Sequence, residues 1–210
     1  ETGGNEYRGT GGPLNVAEVR TTYPILDTVI DAAEQAGYPR NADYNGKTQE
    51  GFGYYQLTQK NGKRWSAKIA YLDPVRNRAN LDVESGAMAS GLVIDGTRVT
   101  GVNYNMNGRE MTAMVGREVI LCAGAVQSPQ LLELSGIGRP DVLSSHGIAV
   151  RHELAGVGEN LQDHYVSRFV WRLKNTSSLN EDTRGLRLVG EALKFALARR
   201  GALTMPAGII

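Results

Sequence analysis

Five consecutive apolar residues, Val119-Ile120-Leu121-Cys122-Ala123, run straight into Gly124-Ala125 and then into helix-forming sequence. Such a run has no polar face, so it predicts a β-strand covered on both sides, as in the interior of a parallel sheet. Ser128 and Pro129 then predict a helix start, with Ser128 as the capping side chain and Pro129 in the first turn. That helix covers Gln130–Leu134 and stops at Ser135-Gly136. Upstream the pattern is a β-meander. Short strands are predicted at Leu81–Val83, Ala87–Ile94, Val99–Tyr104 and Thr112–Val115, with turns at Asp95-Gly96 and Asn107-Gly108. A strand that ends on glycine and turns into a helix offers a ligand site at its carboxyl end. In open α/β sheets that place suits a nucleotide.

The flanking segments carry less specific signals. Pro24 opens a helix over Ile25–Ala33 with one apolar face, closing at Gly37. Phe52–Thr58 reads as a strand, Gly62 as part of a turn, and Ser66–Leu72 as a short helix ended by Pro74. Alternation over Val166–Trp171 predicts a strand. Arg184–Arg199 predicts an amphipathic helix, apolar at 186, 189, 193 and 196 and stopped by Gly201. It is expected to pack on a sheet rather than lie on a membrane surface.

Composition removes several classes. Lys and Arg number 23 against 22 Asp and Glu, a net charge of +1, without the concentrated basic face that nucleic acid requires. No apolar run reaches the length of a transmembrane helix. Cys122 is the sole cysteine; inside the apolar run it is expected to be buried and inert. His146, His152 and His164 lack metal-ligand spacing, so no metal site is expected.

Fifteen positions, Gly124-Ala125-Val126-Gln127-Ser128-Pro129-Gln130-Leu131-Leu132-Glu133-Leu134-Ser135-Gly136-Ile137-Gly138, resemble a sequence signature of the glucose–methanol–choline oxidoreductases. That signature joins a small pair, Ser-Pro, two aliphatics and Ser-Gly-aliphatic-Gly at fixed spacing. Other segments are similar as well: Gly11–Val16, Gln49–Gly53, Gly62–Ala67, and Gly156–His164 with its Asn160-Leu161-Gln162-Asp163-His164. The last favours choline-dehydrogenase-like members.

The resemblance implies an FAD-binding dinucleotide (Rossmann-like) α/β fold with a β-meander, plus part of an α+β substrate domain. It implies mixed cofactor- and substrate-domain segments over 1–72, cofactor domain over 73–160 and the start of the substrate domain over 161–210. Within Asn80–Ala89, it sets Ala89 where the family holds the adenine through a backbone contact, usually with Val. Ala123 and Gly124 are expected beside the adenine-ribose end of FAD. The implied reaction is oxidation of a primary alcohol, choline or a similar small molecule, to an aldehyde by hydride transfer to flavin. The electron acceptor (oxygen, quinone or another carrier) stays open.

A nicotinamide-dependent dehydrogenase and a noncatalytic nucleotide-binding module are the alternatives. Gly136-x-Gly138 and Gly156-x-Gly158 have the wrong spacing for a pyrophosphate loop. That loop is expected ahead of residue 1, and the catalytic histidine beyond residue 210, none of the three histidines serving as base. The chain opens on Glu1 and stops within an apolar run at Ile209-Ile210. It therefore reads as an internal piece, with no targeting segment in view and a cytoplasmic or membrane-peripheral setting expected.

Overall fold

In the computed structural model, which describes residues 3–167 and 170–205, the Asn107-Gly108 turn forms as its sequence demands. Both residues take positive φ, 54° and 76°, the left-handed pair that matches the twist of a two-residue hairpin. The turn joins β4 (Arg98–Met106) to β5 (Arg109–Met114), and Gly96 at φ 56° helps join β3 (Ala87–Asp95) to β4. The three strands form an antiparallel sheet in the order β3-β4-β5. Register runs from Ala87 opposite Met106 to Asp95 opposite Arg98. It slips at Ala89/Gly91, leaving Ser90 as an extra residue in a bulge.

The chain divides into two compact units: Glu1–Asp82 with Phe169–Ile210, and Val83–Arg168. The second holds the meander, then α2 (Gly124–Leu134), β6 (Ile137–Gly138), α3 (Pro140–Ser145) and β7 (His152–Glu153), which pairs in parallel with β6. Its core is small: Leu92, Leu131, Leu143 and Val157 are buried. Each such side chain contributes roughly 1.5–3 kcal/mol by leaving water. Gly136, at φ 84°, ends α2 where a Cβ would stand 2.5 Å from the Ala149 carbonyl oxygen, so no side chain fits there.

The first unit is built around α1 (Pro24–Gln35), whose Ile30 is buried. Tyr54 donates its hydroxyl hydrogen to Asp27 across 2.8 Å and ties the following loop to this helix. Burial and the Asp27 carboxylate push the Tyr54 phenol up to about 12. A two-residue hairpin, β1 (Gln59–Lys60) and β2 (Lys63–Arg64), follows, and then a π-helical turn at Lys68–Leu72. Later in the chain come α4 (Leu179–Asp182), α5 (Gly185–Ala198) and a 3₁₀ turn at Ala202–Thr204. Thr21 accepts a hydrogen bond from the Gly201 amide at 3.0 Å, and Gln59 donates to the Thr204 carbonyl at 2.9 Å. These bonds close the unit on residues far apart in sequence.

Several sequence expectations are corrected. Val119–Ala123 is not a strand: none pairs with it among the described residues, Ala123 is a bend, and Ile120 is 75% exposed. A doubly covered strand needs neighbours, and neither the meander nor the β6–β7 pair supplies them. Cys122 is accordingly exposed, not buried. Phe52–Thr58 makes only isolated bridges, Arg40 with Phe52 and Ala17 with Leu57, and Leu81–Val83 is not a strand. The helical turn before Pro74 begins at Lys68 rather than Ser66 and ends at Leu72 as expected, while Pro74 itself lies in a separate 3₁₀ turn, Asp73–Val75, near whose start its missing N–H costs nothing.

Of the expected strand Val166–Trp171, residues 168 and 169 lie outside the described residues, and the other four have no regular structure. Helix α5 does form, but its apolar stripe packs on no sheet. Leu186 is 90% exposed and Val189 and Leu193 are more than half exposed, because the only sheet in this unit among the described residues is the two-residue hairpin. The helix buries Glu191 instead.

Candidate functional site

Helix α2 begins at Gly124 with Ala123 as its N-cap, five residues earlier than Ser128-Pro129 predicts. The reason is a reversed capping contact. Ser128 does not cap forward onto its own helix; its Oγ reaches back and accepts the Ala123 amide at 3.0 Å. One orphan amide at the helix entrance is thereby satisfied by a side chain from the second turn. Pro129 is inside the helix, where its missing N–H forgoes one backbone bond. Gly124 itself has φ 89°, a conformation that leaves glycine nearly alone among residues.

This entrance is open. A Cβ placed on Gly124 would meet nothing within 4 Å, and no side chain of the N-cap residue Ala123 caps the helix. At the entrance of this eleven-residue helix the dipole favours electron-rich groups. Open space above a glycine and uncapped amides fit the ribose or adenine end of a dinucleotide.

Ala89 lies in β3, paired with Tyr104, at the edge of the Ser90 bulge. Its strand is an outer one of the sheet, and its other edge pairs with no strand among the described residues, a usual position for a bulge that re-aims backbone groups. Strand β3 and helix α2 are tied to each other. Ser135 Oγ accepts the Leu92 amide at 2.8 Å and donates to the Leu131 carbonyl at 2.6 Å, while remaining buried. The sequence reading takes Ser135 only as a helix stop. Its joining role is the part that reading missed, and a hydroxyl directly before the helix-ending Gly136 was the available signal.

Downstream, Arg139 holds the α3 entrance to the Gly156–Glu159 turn by pairing with Asp141 at 2.6 Å and Glu159 at 3.0 Å. The Arg139 guanidinium holds the Asp141 carboxyl below the usual carboxylate range. His146 follows α3 and His152 lies in β7, both exposed at the surface. His164 is exposed in an irregular segment, its amide hydrogen-bonded to the Asp163 carboxylate at 2.8 Å. No group of three or more His, Cys, Asp or Glu side chains among the described residues could hold a metal ion.

Residues 5–166 match the family model described as GMC oxidoreductase. The chain is 49% identical over 164 residues to the human mitochondrial choline dehydrogenase, which takes in 78% of this chain and 28% of that protein. It is 42% identical over 181 residues to the oxygen-dependent choline dehydrogenase of Chromohalobacter salexigens, covering 85% and 32%. The chain thus spans about a third of the length of the curated relatives it matches.

Among solved structures, a formate oxidase of Aspergillus oryzae RIB40 studied for its FAD modification superposes with a TM-score of 0.84. It is 26% identical and covers 93% of this chain and 35% of that one. An FAD-dependent oxidoreductase from Chaetomium thermophilum shares the fold, with a TM-score of 0.83 at 24% identity over 97% of this chain and 36% of that one. A glycine-headed helix tied to a bulged meander strand, together with a family match over most of the chain, leads to one assignment: the chain belongs to the GMC oxidoreductase family, whose cofactor is FAD.

Proposed function

We propose that the protein carrying this chain oxidises a primary alcohol, choline or a similarly small one, to the aldehyde. FAD supplies the hydride acceptor. The observation that carries this reading is the 49% identity to a choline dehydrogenase over 164 residues. The flavin neighbours also favour FAD over the nicotinamide alternative.

This chain's part is to hold the cofactor. Gly124 leaves room over the α2 entrance, and the uncapped first-turn amides face the electron-rich atoms there. Ala123, its amide fixed by Ser128, sets the direction of that turn. Ala89 meets the adenine through its backbone at the bulge. Residues 73–160 belong to the cofactor domain, 161–210 open the substrate domain, and 1–72 contribute to both. None of the three histidines is the base; His164 orders the crossing between the domains. The setting is cytoplasmic or membrane-peripheral, and no helix among the described residues is long and apolar enough to cross a membrane.

The test is anaerobic mixing of the full-length flavoprotein with choline, with its neutral carbon isostere 3,3-dimethylbutanol, and with a linear primary alcohol. Bleaching of the flavin with formation of the matching aldehyde is expected for choline. Bleaching by another primary alcohol alone removes choline as substrate and keeps the alcohol reading. No bleaching by any of them overturns the reading.

A further inference from the structure

Helix α5 ends against the β1–β2 hairpin, and between them is a pocket of about 450 Å³. Four cations line it, Lys60, Lys63 and Arg64 from the hairpin and Arg199 from the helix end; Trp65 and Ile69 supply apolar wall. No acidic residue lines the pocket. None of the four cations is paired with a carboxylate among the described residues.

The backbone is arranged to bring these charges together. Asn61-Gly62 is the two-residue turn of this hairpin and Arg199 the left-handed cap of α5, with φ 51° at Asn61 and 53° at Arg199. A Cβ on Gly62 would stand 2.6 Å from the Arg199 carbonyl oxygen. Only glycine lets the hairpin approach the helix end this closely. Lys60 is held over the Trp65 ring at 4.9 Å and Arg199 over the Phe195 ring at the same distance, so rings rather than carboxylates steady two of the cations. The partial negative charge at the C-terminus of α5 offsets a fraction of this charge. Like charges gathered without counter-ions repel, and an anion in the pocket removes that repulsion.

We infer that this pocket binds a phosphate-bearing anion with an apolar portion, the phosphate among the cations and the apolar part along Trp65 and Ile69. A free phosphorylated small molecule and an anionic lipid headgroup share this chemistry, and one set of measurements tells them apart.

The flavin-loaded full-length protein is titrated calorimetrically with inorganic pyrophosphate. It is also floated with vesicles of phosphatidylglycerol and phosphatidylcholine in equal parts, against pure phosphatidylcholine. Three variants are compared: Lys63→Gln from one wall, Arg199→Gln from the other, and Arg117→Gln, an exposed cation of the other unit, as control. Circular dichroism checks that each folds. Removing one cation facing an anionic group weakens binding about fivefold. Pyrophosphate binding weakened by both wall variants and not by the control assigns the site to a free phosphate. Vesicle binding alone, dependent on the anionic lipid and weakened in the same way, assigns it to a headgroup. Binding of neither probe, or binding indifferent to both wall variants, overturns the inference. Because neither readout involves alcohol oxidation, the outcome is independent of the function proposed above.

Discussion

At the scale of single residues, two backbone positions carry the proposed cofactor contact. Gly124 has φ 89° with open space where a side chain would go, so two substitutions separate backbone angle from room for a ligand. Asn tolerates positive φ far better than a β-branched residue does. Gly124→Asn in the full-length protein is expected to keep the fold and lose most of the bound flavin. Gly124→Val adds strain of about 1–3 kcal/mol and is expected to lose both. Flavin absorbance and far-UV circular dichroism on the same sample read the two effects. Full flavin in a folded Asn variant would show that the cofactor passes elsewhere. At Ala89 the contact is a backbone one, so Ala89→Val is expected to retain flavin. Ala89→Pro removes the N–H and is expected to release most of it. Equal flavin in wild type and a folded Pro variant would sink the adenine assignment.

At the scale of elements, α5 shows how a buried carboxylate stitches a helix to the turn after it. Glu191 accepts the Ala202 amide at 2.6 Å and pairs with Lys194 at 2.5 Å. The Lys194 ammonium first, and then the Ala202 amide, hold its carboxyl below the usual glutamate range. A carboxyl lowered on folding stabilises above its unfolded value of about 4.3, and that stability is lost as pH falls through the lower folded value. The melting temperature of wild type is therefore expected to drop as the pH is lowered below that unfolded value, and that of Glu191→Gln to drop less. At neutral pH the Gln variant should be less stable by about 1.5 kcal/mol, the worth of a charged hydrogen bond, with little from the solvent-screened lysine. Identical melting profiles for the two proteins would count against this.

Elements of this kind divide by how far their causes reach. The Asn107-Gly108 hairpin and helix α1 are legible because two or three adjacent residues decide them. Val119–Ala123 is not, because a strand exists only through its neighbours, and no local pattern says whether they are there. Ser128 was legible as a capping residue but not in its direction, since the same hydroxyl can serve amides ahead of it or behind. Ala89 and Gly124 came from the resemblance; the bulge beside one and the open turn at the other came only from the structure.

At the scale of the whole molecule, apolar surface is abundant. Ile120, Met114, Leu186 and Leu197 are each at least 75% exposed, whereas monomeric proteins rarely show broad apolar patches. The 210-residue chain expressed alone is expected to self-associate in size-exclusion chromatography with light scattering, and a clean monomer would contradict this. The division into units has a separate consequence in time. Residues 83–168 are contiguous in the chain, but the first unit closes only when Gly201 and Thr204 reach Thr21 and Gln59. Ribosomes add roughly 5–20 residues per second, so α1 waits on the order of ten seconds after residue 82 for its partners. During that interval Tyr23 lacks Asp182, the hydrogen-bond partner of its phenol, and the inserted unit has already been made. Protease applied to stalled nascent chains of increasing length is expected to spare the meander unit first. It should cut near Tyr23 until residue 205 has emerged, which makes this stretch of synthesis the period in which the chain most needs a chaperone.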